Sequence, residues 1–304
     1  MIDLKTIPSS KEDLDRYEVE NNFHSWSYQP AQSPPRVVSA KGVRFTTEDG
    51  RERLDFSSFF VSHSIGHQDP RVVDAICEQA RTLTSFAPSM STKPRAMLVK
   101  MLAEVTPGDL ARAFVSLGGA EANEAAIKIC HQFTGRRKII TRYRTYHGGT
   151  ASAMTLSAGD SRGWAQVLGG TEMVQVPQPY CYRCSFGLTY PQCDLQCVKY
   201  IDEVIELEGG GEKVAGIIFE PVTGANGIIV PPSEYFPMLR EICDRWGVLM
   251  IADEVMTGFG RTGRWFAMDH WDVVPDIMTM AKGMTCGYLP LGATVVRDHI
   301  GDNF

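Results

Sequence analysis

Two charged residues follow apolar runs, where a charge is costly unless it has a partner. Lys282 comes after the mostly apolar residues 278–281 and before Gly283. A lysine at a buried strand end has a lowered pKa and can attack an aldehyde as an amine nucleophile. Asp253 follows the apolar run 248–252, and a carboxylate buried there requires a positive partner unless it only caps the next turn. The pair therefore predicts amine chemistry beside a buried acid, with a turn-capping role for Asp253 left open.

Glycines follow two other apolar runs and indicate places where the backbone approaches a ligand. Residues 116–124 contain two adjacent glycines and open a predicted helix with Glu121 in its first turn. Free N–H groups at a helix start favour an anion such as phosphate, and the alternative is a tight turn with an acid matched to the helix dipole. Tyr146 precedes His147 and two glycines, where its ring can lie flat against a planar ligand. The alternative there is an ordinary loop with a half-buried tyrosine.

The elements that position these residues alternate between short β-branched runs and amphipathic helices. Several runs are apolar on both faces, which is typical of parallel strands covered by helices on each side. The alternation predicts an α/β fold, a three-layer αβα domain around a mostly parallel seven-stranded sheet. The predicted strands cover residues 113–116, 138–141, 173–176, 214–219, 248–252, 277–280 and 292–296. Two of the predicted helices cover residues 121–133 and 234–246.

The first 65 residues differ in composition from the rest of the chain. They are irregular and rich in Pro, Ser and aromatic residues, and they predict an arm with a short hairpin near residues 47–50. An apolar stripe at helical spacing begins after Pro70, which is a favourable first residue for a helix. We therefore divide the chain into an N-terminal segment, 1–65, and a large domain, 66–304.

Composition excludes several classes of protein. The 304 residues, 43% of them apolar and 22% charged, are enough for one large folded domain or two modest ones. The net charge of −6 without a basic block argues against nucleic acid as the main partner. The longest apolar runs are far shorter than the ~18–20 residues of a membrane helix, and the first residues do not resemble a signal peptide. We therefore expect no membrane partner and a cytoplasmic location.

Four of the eight cysteines lie close together in the sequence: Cys181, Cys184, Cys193 and Cys197. They form a CxxC, eight intervening residues and a CxxxC, which can hold a structural zinc ion. In the cytoplasm a disulfide is less expected, and cysteines in a compact loop also serve as apolar filler. We assign no metal ligands on this basis and leave zinc, a disulfide and inert thiols open, with inert thiols favoured.

The ligand-binding features fall at successive strand ends, and in open α/β sheets ligands bind at the carboxyl ends of the strands. A phosphate cradle, a flat aromatic ring, a buried acid and a buried lysine together fit one cofactor, pyridoxal 5′-phosphate (PLP). The lysine would hold its aldehyde as a Schiff base, and the acid would keep the pyridine nitrogen protonated so that the ring accepts electrons. The sequence therefore predicts a PLP enzyme.

Five strings, in this order, resemble the class III (ω-amino acid) aminotransferases of fold type I. They are Gly-Gly-Ala-Glu-Ala-Asn-Glu at 118–124, Tyr-His-Gly at 146–148, Glu-Pro-Val at 220–222, Asp-Glu-Val-Met-Thr-Gly-Phe-Gly-Arg-Thr-Gly at 253–263 and Ala-Lys-Gly at 281–283. The resemblance extends from about residue 35 to the end of the chain. It implies that residues 1–65 belong to a small domain that this chain leaves incomplete. Because family members continue well beyond this length, we expect a fragment or a shortened product.

The resemblance implies roles for four residues around the cofactor ring. Lys282 would form the Schiff base and then carry the proton between the substrate carbon and the cofactor carbon. Asp253 would pair with the pyridine nitrogen, while Val255 and Tyr146 would contact opposite faces of the ring. Lys282 and Asp253 are thus the expected catalytic residues.

Other residues are implied to bind the phosphate and the substrate. The backbone N–H groups of Gly119 and Ala120 would hold the phosphate, although the family often has a serine where Ala120 stands. Glu220 resembles an acid that the family keeps near the cofactor and often pairs with an arginine on the substrate side. The family lines its substrate pocket at the positions of Trp26, Phe59, Phe60 and Val61.

The resemblance also implies an activity and an assembly. The expected reaction moves an amino group from an amine or ω-amino acid to a 2-oxo acid such as pyruvate or 2-oxoglutarate, within a homodimer. One alternative uses the same site for an aminomutase or a decarboxylating transamination. Another is a truncated, non-catalytic remnant or a partner subunit.

Overall fold

The computed structural model describes residues 7–31, 34–157 and 172–304. The chain divides into two compact units, Met1–Phe56 and Ser57–Phe304. Our predicted boundary lies later, between residues 65 and 66. The structure groups residues 57–65 with the larger unit, where Arg261 Nη2 donates to the Val61 carbonyl and to Ser64 Oγ, both at 3.2 Å.

The smaller unit contains a helix and an antiparallel sheet. Helix α1 (Lys11–Asn21) begins after Ser10, whose Oγ accepts a hydrogen bond from the Asp13 N–H at 3.1 Å. A 3₁₀ turn (Gln29–Ala31) precedes the strands β1 (Val37–Lys41), β2 (Arg44–Thr47) and β3 (Glu52–Leu54), which pair in that order. The predicted hairpin near residues 47–50 is the connection between β2 and β3.

The larger unit is built on a seven-stranded sheet. Its strands are β4 (Leu110–Ser116), β5 (Lys138–Arg142), β6 (Met173–Val176), β7 (Val214–Phe219), β8 (Leu249–Asp253), β9 (Ile277–Met280) and β10 (Gly292–Arg297). They lie in the order β4-β10-β9-β8-β7-β5-β6. Among the described strands, only β10 runs antiparallel to its two neighbours, and the other adjacent pairs are parallel. The mostly parallel seven-stranded α/β sheet predicted from the sequence is therefore confirmed.

Helices precede the first of these strands and follow most of them. They are α2 (Ser58–Val61), α3 (Pro70–Thr82), α4 (Lys93–Val105), α5 (Gly119–Thr134), α6 (Ala151–Leu156), α7 (Gln196–Leu207), α8 (Tyr235–Trp246) and α9 (Asp298–Gly301). The predicted helices at 121–133 and 234–246 correspond to α5 and α8. Helix α8 ends where Gly247 adopts the left-handed conformation, with φ 59°. Among the described residues, no helix combines the length and the apolar character that crossing a membrane requires.

Buried side chains on both faces of the sheet make three layers. On one face, Ile217 of β7 and Met250 of β8 pack in a core with residues of α7 and α8 such as Leu239. On the other face, Ile218 and Ile251 pack with residues of α5 and α6. All six residues of β7 are buried, which explains why its sequence is apolar without alternation. The sheet therefore holds the carboxyl ends of β7, β8 and β9 side by side.

Candidate active site

The carboxylate of Asp253 lies at the end of β8 and is only 3% exposed. Its Oδ2 accepts a hydrogen bond from Asn123 Nδ2 at 2.9 Å and lies 2.7 Å from His147 Nδ1. Its Oδ1 accepts the Val255 N–H at 3.0 Å. The turn-capping bond considered from the sequence is thus present, but the other oxygen faces side chains from two distant segments. Asp253 is the centre of a buried polar network.

Asn123 links three parts of that network. It projects from α5, and its Oδ1 accepts a hydrogen bond from Thr279 Oγ1 of β9 at 2.7 Å. Its Nδ2 also donates to the His147 carbonyl at 2.7 Å, and the His147 N–H donates to Ser157 Oγ at 2.8 Å. The sequence analysis gave no role to these four residues. A signal was present, since Asn123 interrupts an otherwise alanine-rich helix face and both Asn123 and His147 lie inside the quoted strings.

Lys282 enters the same region from the neighbouring strand. Asp253 pairs with Thr279 of β9, and Lys282 opens the 3₁₀ turn (Lys282–Met284) that follows that strand. Burial lowers the pKa of the Lys282 ammonium, whereas the negative charges of Asp253 and Glu220 oppose that shift. The structure therefore brings the predicted lysine and both predicted acids into one electrostatic environment.

Glu220 follows β7 and is 5% exposed. Its Oε1 accepts the Tyr146 N–H at 3.1 Å, and its Oε2 accepts the Gly224 N–H at 2.8 Å. Burial raises the pKa of the Glu220 carboxyl, Asp253 raises it further, and His147 acts in the opposite direction. Glu220 thus fixes the backbone at Tyr146, a predicted ring contact that the structure places beside this acid.

The predicted phosphate turn packs closely against the end of β8. Gly119 opens α5, and a Cβ built on it would lie 2.7 Å from Val255 Cγ1, which is too close for a side chain. Gly148 has φ 137°, and a Cβ there would lie 2.5 Å from the Ala120 Cβ. The two glycines therefore allow the helix start, Val255 and the loop after β5 to come together. Free N–H groups at the start of a helix form an anion site, so the residues present fit a phosphate-bearing cofactor.

The predicted substrate-pocket residues separate into two groups. Phe59, Phe60 and Val61 lie in the left-handed turn α2, with φ between 49° and 60°. A Cβ on Gly287, in the loop that follows Lys282, would lie 3.1 Å from Phe59 Cδ1. This contact places Phe59 beside the lysine loop. Trp26 belongs to the smaller unit.

Glu254 is a second buried acid that the sequence analysis did not single out. Its Oε1 accepts the Met268 N–H at 2.8 Å, and Thr257 Oγ1 donates to Oε2. Burial raises the pKa of this carboxyl from 4.5 to about 7. Glu254 therefore serves as an anchor for the segment after β8 and does not contact Lys282 among the described hydrogen bonds.

Comparison with known proteins identifies the family of this chain. A sequence model of the family described as aminotransferase class-III matches residues 28–304, most of the chain. The chain belongs to the class III aminotransferases. Enzymes of this family are PLP-dependent, in agreement with the lysine, acid and helix-start arrangement found here.

Three class III relatives illustrate the similarity. The leucine/methionine racemase of Thermococcus litoralis is 37% identical over 273 residues, covering 89% of this chain and 61% of that protein. The taurine–pyruvate aminotransferase of Bilophila wadsworthia is 34% identical over 289 residues, covering 93% and 63%. A taurine:2-oxoglutarate aminotransferase from Bifidobacterium kashiwanohense, solved in complex with PLP and glutamate, is 41% identical with a TM-score of 0.90, covering 98% and 67%. The chain thus spans slightly more than three fifths of the length of the racemase and of the taurine–pyruvate aminotransferase.

We predict that Glu254→Gln flattens the pH dependence of stability. The folded-state pKa of Glu254 lies above its ordinary value, so its contribution to stability is complete below pH 4.5 and is lost as the pH rises through about 7. The free energy of unfolding of the wild type should fall by up to roughly 2–3 kcal/mol across this range from this one group. Urea unfolding followed by circular dichroism at a series of pH values measures the slope for both proteins.

The exposed Glu203 of α7 provides the matched control. Glu203→Gln should keep the wild-type slope of unfolding free energy against pH, since the carboxyl group that it removes is exposed. A Glu254→Gln protein whose unfolding free energy still declines as steeply as that of the wild type would contradict the assignment.

Proposed function

We propose that this chain carries out PLP-dependent transamination, transferring an amino group from an amine or ω-amino acid to a 2-oxo acid. The observation that supports this most strongly is the convergence of Lys282 and Asp253 at adjacent carboxyl ends of β9 and β8. The start of α5 lies against the same strand end, through the contact of Gly119 with Val255. Amine, acid and anion site are therefore available to one small ligand.

The catalytic roles follow from these positions. When PLP is bound, its ring supplies the sink for the electrons of the substrate carbon. Asp253 would stabilise positive charge at the ring nitrogen, since Asn123 and His147 orient its carboxylate. Lys282 takes and returns the proton of the amine-bearing substrate carbon, and the burial that lowers its pKa makes Nζ available as a base.

The binding roles use backbone and apolar contacts. Gly119 and Ala120 offer their N–H groups to the phosphate at the positive end of the α5 dipole. Val255 and Tyr146 would contact the ring when PLP is bound. Glu220 holds the Tyr146 backbone in place, and its buried carboxyl lies on the side from which we propose that substrate enters.

The proposed substrates are small amines or ω-amino acids as donors and pyruvate or 2-oxoglutarate as acceptors. Two of the relatives named above support this choice, because both are taurine aminotransferases and use one or the other acceptor. We propose that Phe59, Phe60 and Val61 line the donor pocket. Their apolar surfaces suit a donor with an uncharged chain next to the reacting carbon.

Racemisation is a second candidate, since the relative from Thermococcus litoralis is a leucine/methionine racemase. A racemase removes the α-proton from one face of the substrate carbon and adds a proton to the opposite face, without a second substrate. An aminomutase also needs no second substrate, whereas a decarboxylating transaminase releases carbon dioxide. A non-catalytic remnant or partner subunit would bind no substrate productively.

We also propose a homodimer in the cytoplasm. Apolar side chains exposed in the larger unit support an interface, among them Met97 and Met101 of α4 and Phe114 of β4. The eight free cysteines are compatible with a reducing compartment. Sedimentation equilibrium of the purified chain should give twice the chain mass, and a monomer at all concentrations would argue against the dimer.

We predict that Lys282→Ala abolishes the visible absorption band of bound PLP. Transaminase turnover should fall by about 10³-fold or more, because the variant lacks both the amine that bonds the cofactor and the base. Absorption spectra and steady-state rates measure the two effects. Lys100→Ala, which removes an exposed lysine paired with Glu104 at 3.3 Å, should leave both unchanged. Wild-type absorption and turnover in Lys282→Ala would refute the assignment.

A panel of amine donors tests the reaction class. Taurine, β-alanine, 4-aminobutyrate and an arylalkylamine should each be compared for bleaching of the visible band, with pyruvate or 2-oxoglutarate added afterwards to restore it. A transaminase forms product catalytically only when the oxo acid is present. Catalytic product without any oxo acid would instead indicate a racemase or an aminomutase. A chain that binds PLP but does not respond to any donor would favour the remnant.

A further inference from the structure

The loop between β6 and α7 and the first turn of α7 together carry four of the eight cysteines, none of which has a role in the proposed reaction. Cys181 opens a 3₁₀ turn (Cys181–Arg183), and Cys197 lies in the first turn of α7. Two backbone hydrogen bonds fold the chain between them, from the Gly187 N–H to the Cys184 carbonyl at 3.1 Å and from the Cys193 N–H to the Thr189 carbonyl at 2.9 Å. The loop thereby returns on itself and brings its two cysteine pairs to one place.

All four cysteines line the same small cavity. Its volume is about 20 Å³, enough for one atom-sized occupant and far too small for an organic ligand. The remaining wall is largely apolar and includes Leu188, Leu195 and Pro232. A cavity of this size with four sulfur-bearing side chains in its wall has the composition of a metal site.

The other two interpretations account for fewer of these observations. A disulfide is not formed, since all four residues are free thiols in this structure. Inert filler accounts for Cys130 and Cys243, which are buried in helices, but Cys181 is exposed and Cys184, Cys193 and Cys197 are only partly buried. Among the described side chains, no three of these sulfur atoms lie within 4.8 Å of one another. Metal binding therefore requires the cysteine side chains to rotate toward the cavity.

We propose that Cys181, Cys184, Cys193 and Cys197 bind one zinc ion as a tetrahedral Cys₄ site. Four thiolates at about 2.3 Å complete the coordination of zinc and leave no open position, so the site is structural. The ion would join the 3₁₀ turn at Cys181–Arg183 to the first turn of α7. Gln178, which also lines the cavity, accepts a hydrogen bond from Thr223 Oγ1 at 3.3 Å, so the ion would also stabilise the contact between this loop and the segment after Glu220.

Metal analysis of the full chain, purified with PLP from zinc-supplemented cells, tests the proposal. Mass spectrometry should find about one zinc per chain in the wild type and at least about tenfold less in Cys193→Ser and in Cys184→Ser. Cys77→Ser is the matched control, since Cys77 is an exposed thiol on α3 outside the cluster. It should retain the wild-type zinc content. Equal zinc in Cys193→Ser and the wild type would overturn the proposal.

A measurement on the wild type alone covers the case in which the cysteine variants do not fold. Titration of the native protein with a thiol reagent should reveal four additional fast-reacting thiols after a zinc chelator is added. Cobalt substituted for zinc should show the intense thiolate-to-metal absorption of a sulfur-rich tetrahedral site. Four thiols that already react fast without chelator and without bound metal would overturn the proposal, as would a protein mass lower by two hydrogens per disulfide. None of these outcomes depends on whether the chain is a transaminase.

Discussion

The structure of the larger unit is organised around one electrostatic constraint, the burial of the Asp253 carboxylate at the end of β8. Removing a carboxylate from water costs several kcal/mol or more unless hydrogen bonds or an opposite charge replace the solvent. Asn123, His147 and the Val255 N–H supply those contacts. These partners come from α5, the loop after β5 and the turn after β8, so the carboxylate holds three separate segments in register.

Sheet topology explains why residues far apart in sequence converge on this point. In parallel strands the carboxyl ends lie at one edge, and β7, β8 and β9 are neighbours in the sheet. Glu220, Asp253 and Lys282 follow these three strands and therefore emerge side by side. The single antiparallel strand, β10, extends the sheet beyond β9 without disturbing that edge.

The strands could be predicted well from the sequence, because the burial of a strand leaves a pattern of apolar residues within that strand alone. Strands covered on both faces are apolar throughout, and the predicted boundaries of β6, β7 and β9 agree with the structure. The Asn123–Thr279 hydrogen bond could not be predicted in the same way, since it joins positions 156 residues apart that only the folded sheet brings together. The left-handed turn at 58–61 was also missed, because phenylalanine and valine carry no signal for positive φ.

The charges around Lys282 indicate what kind of ligand the site prefers. Asp253 is satisfied by hydrogen-bond donors from Asn123, His147 and the backbone, and no arginine lies among its described hydrogen-bond partners. An arginine there would neutralise the carboxylate within the protein, whereas amide and N–H donors orient it and leave its charge available. Burial also lowers the pKa of Lys282, so the site loses one positive charge beside Asp253 and Glu220 whenever that lysine is neutral. A ligand that carries positive charge on a ring nitrogen would supply the missing countercharge. If the same ligand carries a phosphate, that anionic group can bind at the start of α5.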